Sequence, residues 1–158
     1  MACVDIAVLP AVWRGTFVIK QRRFSIELRL LRGRCARVAA CLQAGVALKM
    51  TKRAPIDHST RRALRGCVRD AAATSVLLGR AVEPMCRAAF VAFVGMYLKR
   101  KQSLAVLDVG GDGLQLYVLP PDAFARECLV DAGTRGVAEE ISFETDLLFL
   151  LHNQGTVS

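Results

Sequence analysis

At 158 residues with 53% hydrophobic side chains, the chain can bury one core and is too apolar for a disordered tail. Its formal net charge of +8 asks for an anionic partner: nucleic acid, an acidic or phosphorylated peptide, or a membrane surface. No charge-free stretch approaches the roughly 18 to 20 residues that cross a bilayer as a helix, and the N-terminus has Asp5 where a signal peptide carries basic residues.

Six dispersed cysteines, with no C-x-x-C pair and no histidine cluster, point away from zinc and toward free thiols in a reducing compartment. An intracellular single domain over residues 9–152 is expected, between an extension at 1–8 and a tail at 153–158.

From Val12 the residues alternate, with Trp13, Gly15, Phe17 and Ile19 on one face and Arg14, Thr16, Val18 and Lys20 on the other, which predicts a strand. Gln21 to Arg23 make a basic turn. Phe24, Ile26, Leu28 and Leu30 then alternate with Ser25, Glu27, Arg29 and Leu31 as the antiparallel partner. A weaker alternation over Ala36 to Leu42 predicts a third strand, and Leu48 to Ile56 an extended segment, since Pro55 biases Ala54 away from helix.

Asp57 or Ser59 can cap a helix ending near Asp70, with Ala63, Leu64, Cys67 and Val68 on its apolar face. Thr74 to Arg80 suits a buried strand. Pro84 fits the first turn of a helix running to about Gln102, whose stripe of Met85, Ala89, Ala92, Phe93 and Met96, broadened by Phe90 and Val94, is expected to pack on a sheet. Leu104 to Val109 and Leu114 to Leu119 flank Gly110-Gly111-Asp112-Gly113 as a hairpin; a phosphate-cradling loop would need a helix after the glycines. Asp122 can cap a short helix to about Leu129, and Thr145 to Leu151 is a last apolar strand.

Catalytic and cofactor motifs are missing. His58 and His152 lie in no recognisable catalytic setting, and there is no G-x-S-x-G elbow or H-E-x-x-H zinc motif. The reading is of a non-enzymatic module without a cofactor.

Four segments in order, VWRGTFVIKQ, KMTKRAPID before a helix, MYLKRKQ ending a long helix, and LYVLPPDAF, give the chain its resemblance to the SPOC domain, the C-terminal module of the Spen (Split ends) family. The match spans about residues 9 to 151. The wording YLKRKQ is closer to the RNA-binding-motif and SHARP-type branch than to the branch attached to transcription-elongation proteins.

That resemblance implies an α+β fold, a distorted seven-stranded β-barrel flanked by helices. It also implies a monomeric nuclear adaptor, away from membranes, whose basic groove binds acidic or phosphoserine-containing peptides. In the family the partners are corepressors, the phosphorylated RNA polymerase II tail and the RNA-methylation machinery, and RNA is bound by other domains of the full-length protein.

Carried over by position, the groove residues are Lys20, Arg53, Tyr97 and Lys101. The family's second arginine falls on Pro55, which cannot donate a hydrogen bond, so Lys49 or Lys52 would have to stand in as point charges. The runner-up reading is direct nucleic-acid binding by the basic surface.

Overall fold

The computed structural model describes residues 9–34, 38, 42, 47–109, 114–134 and 141–153. In it β1 (Ala11–Ile19) and β2 (Arg22–Arg32) form the expected hairpin, with Phe17 opposite Phe24 and Ile19 opposite Arg22. The inward face is as the alternation predicts: Trp13, Phe17, Ile19, Phe24, Ile26, Leu28 and Leu30 are all buried. The turn is tighter than expected. Only Lys20 and Gln21 separate the strands, and Lys20 takes the left-handed backbone at φ 54°, where a side chain costs roughly 1 to 2 kcal/mol. Gly15 has a packing role, since a Cβ there would collide with the Trp13 ring that lies across it.

β3 (Leu48–Pro55) leads into α1 (His58–Arg69), whose cap is Asp57: its carboxylate accepts the Thr60 amide at 2.8 Å, which holds its pKa below the usual carboxylate range. β4 (Thr74–Ala81) precedes α2 (residues 84–100), which opens with the 3-10 turn Pro84–Cys86, contains a π-helical turn at Val91–Gly95 and closes with Met96–Arg100. β5 (Ser103–Asp108) and β6 (Leu114–Val118) pair as a hairpin. α3 (Ala123–Asp131), capped by Asp122, and β7 (Leu147–Asn153) complete the described elements.

The seven strands close into a barrel in the order β1-β2-β4-β7-β6-β5-β3, flanked by the helices, and the fold class is the α+β barrel expected. All neighbours are antiparallel except β1 and β3, joined in parallel through two pairs, Phe17 with Leu48 and Val18 with Lys49.

Apolar side chains pack in two layers. Leu77, Leu107, Leu116, Leu147, Phe149 and Leu151 fill the barrel, joined by Phe90, Val91, Val94 and Leu98 of α2. Val76, Leu78, Leu104, Val106, Leu148 and Leu150 face outward under α1 and α3. β4 and β7 are thus covered on both faces, which is why each reads as a continuous apolar run. His152 ties β7 to its neighbours: Nδ1 lies 2.7 Å from Thr74 Oγ1 and Nε2 3.7 Å from Cys67 Sγ.

Other expectations differ as well: Ala63, assigned to the apolar face of α1, is exposed. The strand placed over Ala36 to Leu42 falls mostly outside the described residues, and at the two described there the bonds are helical: Val38 N–H to Arg34 and Leu42 N–H to Val38. Glu27, assigned to the outer face, is buried between Arg14 and Arg29, whose Nε groups reach its carboxylate at 3.2 and 3.0 Å. Arg29 also donates to the Leu9 carbonyl, so the segment before β1 reaches over this part of β2.

Of the stripe assigned to α2, Phe90 and Val94 are buried as expected, but its centre lies on the outer side. Met85 is 86% exposed and Met96 41%, and Ala89 and Ala92 are exposed, while Phe90, Val91, Val94, Gly95 and Leu98 are buried. The helix is apolar nearly all round, so periodicity does not choose a side. Gly95 does: a Cβ there would lie 2.8 Å from Leu147 and 3.0 Å from Pro121, marking where the helix presses on its neighbours. The glycine loop at 110–113 lies outside the described residues.

Candidate functional site

Past Val18 and Lys49 no further pair joins β1 to β3, and a recess of about 200 Å³ opens there, lined by Ile19, Lys20, Met50, Lys52, Arg53 and Tyr97. Three of the six are cations. β3 has a register shift between Met50 and Lys52, so these two residues pair with the adjacent Leu107 and Val106. Such a bulge re-aims side chains, and here Met50, Lys52 and Arg53 line one recess while Lys49, also exposed, does not.

Tyr97 is the pivot. Its ring carries the Lys20 ammonium at 4.4 Å and the Arg53 guanidinium at 5.4 Å from its centre, both inside cation–π range. Two cations from separate strands are thereby held beside one half-buried phenol. An anionic group entering the recess meets charges already oriented, which lowers the ordering cost of binding.

On the other side of Lys20 and Tyr97 a second recess, of about 360 Å³, is bounded by Ile19, Arg22, Ala89, Ala92, Phe93 and Arg100. Its floor is apolar and its rim is cationic. Arg22 lies over Phe93 at 4.6 Å and over Phe24 at 5.4 Å. The two recesses share Ile19, Lys20 and Tyr97, so they form one continuous groove.

Of the residues singled out in the sequence, Lys20, Lys52, Arg53 and Tyr97 come together in this groove. Lys49 and Lys101 line neither recess. Lys101 is the C-cap beyond the last turn of α2, and Arg100 lines the groove beside Tyr97. Ala89, Phe93, Tyr97 and Arg100 succeed one another at intervals of four, four and three residues, one face of a helix. Counting along α2 from Tyr97 at that spacing would have found them. Arg22, placed inside the turn by the sequence reading, is the first residue of β2 and pairs with Ile19.

The comparisons with known proteins bear on the fold. The structure is similar to the SPOC domain of human PHD-finger protein 3 with a TM-score of 0.63, at 10% sequence identity, over 94% of this chain and 100% of that one. No protein-family model and no curated protein matches the sequence. The fold is SPOC-like, and at this identity the likeness is one of architecture.

Proposed function

We propose that the domain is a non-catalytic adaptor that binds an acidic or phosphoserine-containing peptide in the groove around Tyr97. The anionic side chain sits in the recess of Lys20, Lys52 and Arg53, and a neighbouring apolar side chain enters the recess floored by Ala89, Ala92 and Phe93. The observation that carries this reading is the sharing of Lys20 and Tyr97 by a cationic and an apolar recess. A bare polyanion would have no use for the second, and a purely apolar ligand none for the first.

Arg53 is the principal anchor. A phosphoserine carries about −1.5 to −2 charges at pH 7, and a hydrogen bond to a charged group is worth roughly 1.5 to 3 kcal/mol. With Pro55 exposed at the end of β3, a second guanidinium is not offered from that position, and Lys52 takes its part as a point charge. The likeness of fold supports a SPOC-like interaction module, and the resemblance of sequence alone supports placing it with nuclear adaptors of the Spen type, in the RNA-binding-motif or SHARP-like branch. Its partners would then be corepressors, the phosphorylated polymerase tail or the RNA-methylation machinery.

The test is a titration of a doubly phosphorylated serine peptide and its unmodified form against wild type and Arg53→Ala, at two salt concentrations. Tighter binding of the phosphorylated form, weakened about tenfold or more in folded Arg53→Ala, is expected. Equal affinity of both proteins for both peptides would overturn the reading.

A further inference from the structure

A second cationic surface lies on α1, and it shares no residue with the groove. The sequence of this helix, HSTRRALRGCVR, contains four arginines and no carboxylate. At about 100° per residue, His58, Arg61, Arg62, Arg65 and Arg69 fall within one arc of roughly 100°, while Leu64 and Val68 are buried. All five basic residues, with Glu127 of α3, line a recess of about 330 Å³.

Three of these arginines are held in place. Arg65 donates to both oxygens of Asp131, at 2.6 and 3.3 Å, and Arg69 approaches the same carboxylate at 3.4 Å. The Arg61 guanidinium lies 5.3 Å from the centre of the Phe124 ring. Asp131 offsets the charge of Arg65, which acts as the fixed centre of the row. Arg61, Arg62 and Arg69 remain exposed around it.

We propose that this face of α1 binds the phosphodiester backbone of a double-stranded nucleic acid. From Arg61 to Arg69 the row extends about 12 Å along the helix axis, at about 1.5 Å per residue. That is a line of charge suited to a repeating polyanion, whereas a single phosphate needs convergent donors. A single strand would need an exposed ring for base stacking, and Phe124, the aromatic at this site, is buried beneath Arg61. A membrane-surface helix inserts its apolar face into lipid, but that of α1 is covered by the barrel and α3. Binding is set by charge and is without sequence preference, and it leaves the peptide groove open.

The experiment measures fluorescence anisotropy of labelled RNA and DNA duplexes of about 20 base pairs with the full chain, between about 50 and 200 mM salt. Three variants accompany wild type: the triple Arg61→Gln/Arg62→Gln/Arg69→Gln, the same positions changed to Lys, and the groove double Lys20→Gln/Arg53→Gln. For the DNA duplex, the plot of log affinity against log salt should lose about 0.9 in slope per arginine removed, close to 2.7 for the glutamine triple. The lysine triple and the groove double should keep the wild-type slope for both duplexes, with thermal melts establishing that each variant is folded. If the glutamine triple unfolds, the singles Arg61→Gln and Arg62→Gln take its place, each expected to lose about 0.9 in slope for the DNA duplex. A groove double that loses as much binding as the glutamine triple would place nucleic acid in the groove and overturn the proposal. So would wild type that binds anionic phosphatidylserine vesicles and neither duplex.

Discussion

The Lys20 ammonium lies 4.4 Å from the centre of the Tyr97 ring, and the lysine that makes this contact sits in a left-handed turn. The β1–β2 turn therefore keeps a side chain where the backbone favours glycine, at a cost of roughly 1 to 2 kcal/mol, and the exposed cation–π contact returns roughly 0.5 to 1. Lys20→Ala loses the contact and keeps the strain, whereas Lys20→Gly loses both. In urea unfolding the glycine variant should be the more stable of the two by about 1 kcal/mol, with both losing phosphopeptide affinity. An alanine variant more stable than the glycine one would mean that the turn stores no strain.

Gly95 is where α2 comes down on the barrel. An alanine in a helix normally gains about 1 kcal/mol over glycine, but here its Cβ would lie 2.8 Å from Leu147 and 3.0 Å from Pro121. The Leu147 methyl can rotate aside, but the Pro121 ring cannot. Overpacking costs typically 1 to 3 kcal/mol, so Gly95→Ala should lower the thermal midpoint. A raised midpoint would show that the helix is not pressed onto its neighbours here.

Trp13 is 5% exposed and belongs to the barrel interior, and its truncation should be severe. Trp13→Ala should cost roughly 3 to 5 kcal/mol, enough to unfold a marginal domain. An unchanged melting midpoint would remove the indole from the core.

The barrel was legible wherever a strand shows water one face, as in the alternation of β1 and β2. It was equally legible wherever a strand hides both, as in β4 and β7. The helix starts followed from Asp57 and Asp122, whose side chains accept amide protons of the first turn. What failed was the choice of face on α2, because nearly every position there is apolar. Only the contacts of Gly95 and those of Phe90, whose ring centre lies 5.7 Å from that of Phe17 and 5.4 Å from that of Phe24, decide it. The burial of Glu27 depends on arginines thirteen residues before it and two after it, which no local pattern connects. In the groove, Lys20, Arg53 and Tyr97 were found by resemblance, while Arg22 and Arg100 required knowing the turn and the helix phase.

His152 makes stability depend on pH. Burial pushes its imidazole below the ordinary value, with Asp70 opposing more weakly. The unfolded chain then binds the proton more readily, so its contribution to stability is complete above about pH 6.5 and is lost as pH falls toward the folded pKa. The carboxyls of Asp57 and of Asp131, the latter lowered by its hydrogen bond from Arg65, act in the same sense only below about pH 4. Between pH 7 and 5 the urea midpoint should fall in wild type and change less in His152→Gln. Parallel pH dependence in the two proteins would clear His152 of the effect.

The end of α2 separates two ways of using three consecutive cations. If Lys99, Arg100 and Lys101 only complemented the helix dipole, each would contribute some 0.3 to 1 kcal/mol at low ionic strength, and they would be interchangeable. The groove makes them unequal. The family resemblance implies Lys101 as the partner of Tyr97, four residues on and at the spacing of one helical face. The helix, however, ends at Arg100, and Lys101 has become its cap, with its amide bonded back to the carbonyls of Tyr97 and Lys99. Arg100 instead joins Tyr97, Phe93 and Ala89 along the wall of the apolar recess, opposite Arg22. A peptide whose anionic residue is held by Arg53 and Lys20 would run its neighbours past Arg100. Titration of one doubly phosphorylated serine peptide against Tyr97→Ala, Lys99→Ala, Arg100→Ala and Lys101→Ala should therefore rank the losses with Tyr97 and Arg100 above Lys99 and Lys101. Removing the ring should loosen Lys20 and Arg53 together, a loss of at most about 5- to 30-fold, since each of the two cation–π contacts is worth roughly 0.5 to 1 kcal/mol. Equal losses at the three cations with none at Tyr97 would mean diffuse electrostatics, and the largest loss at Lys101 would mean that the peptide leaves the groove by way of the cap.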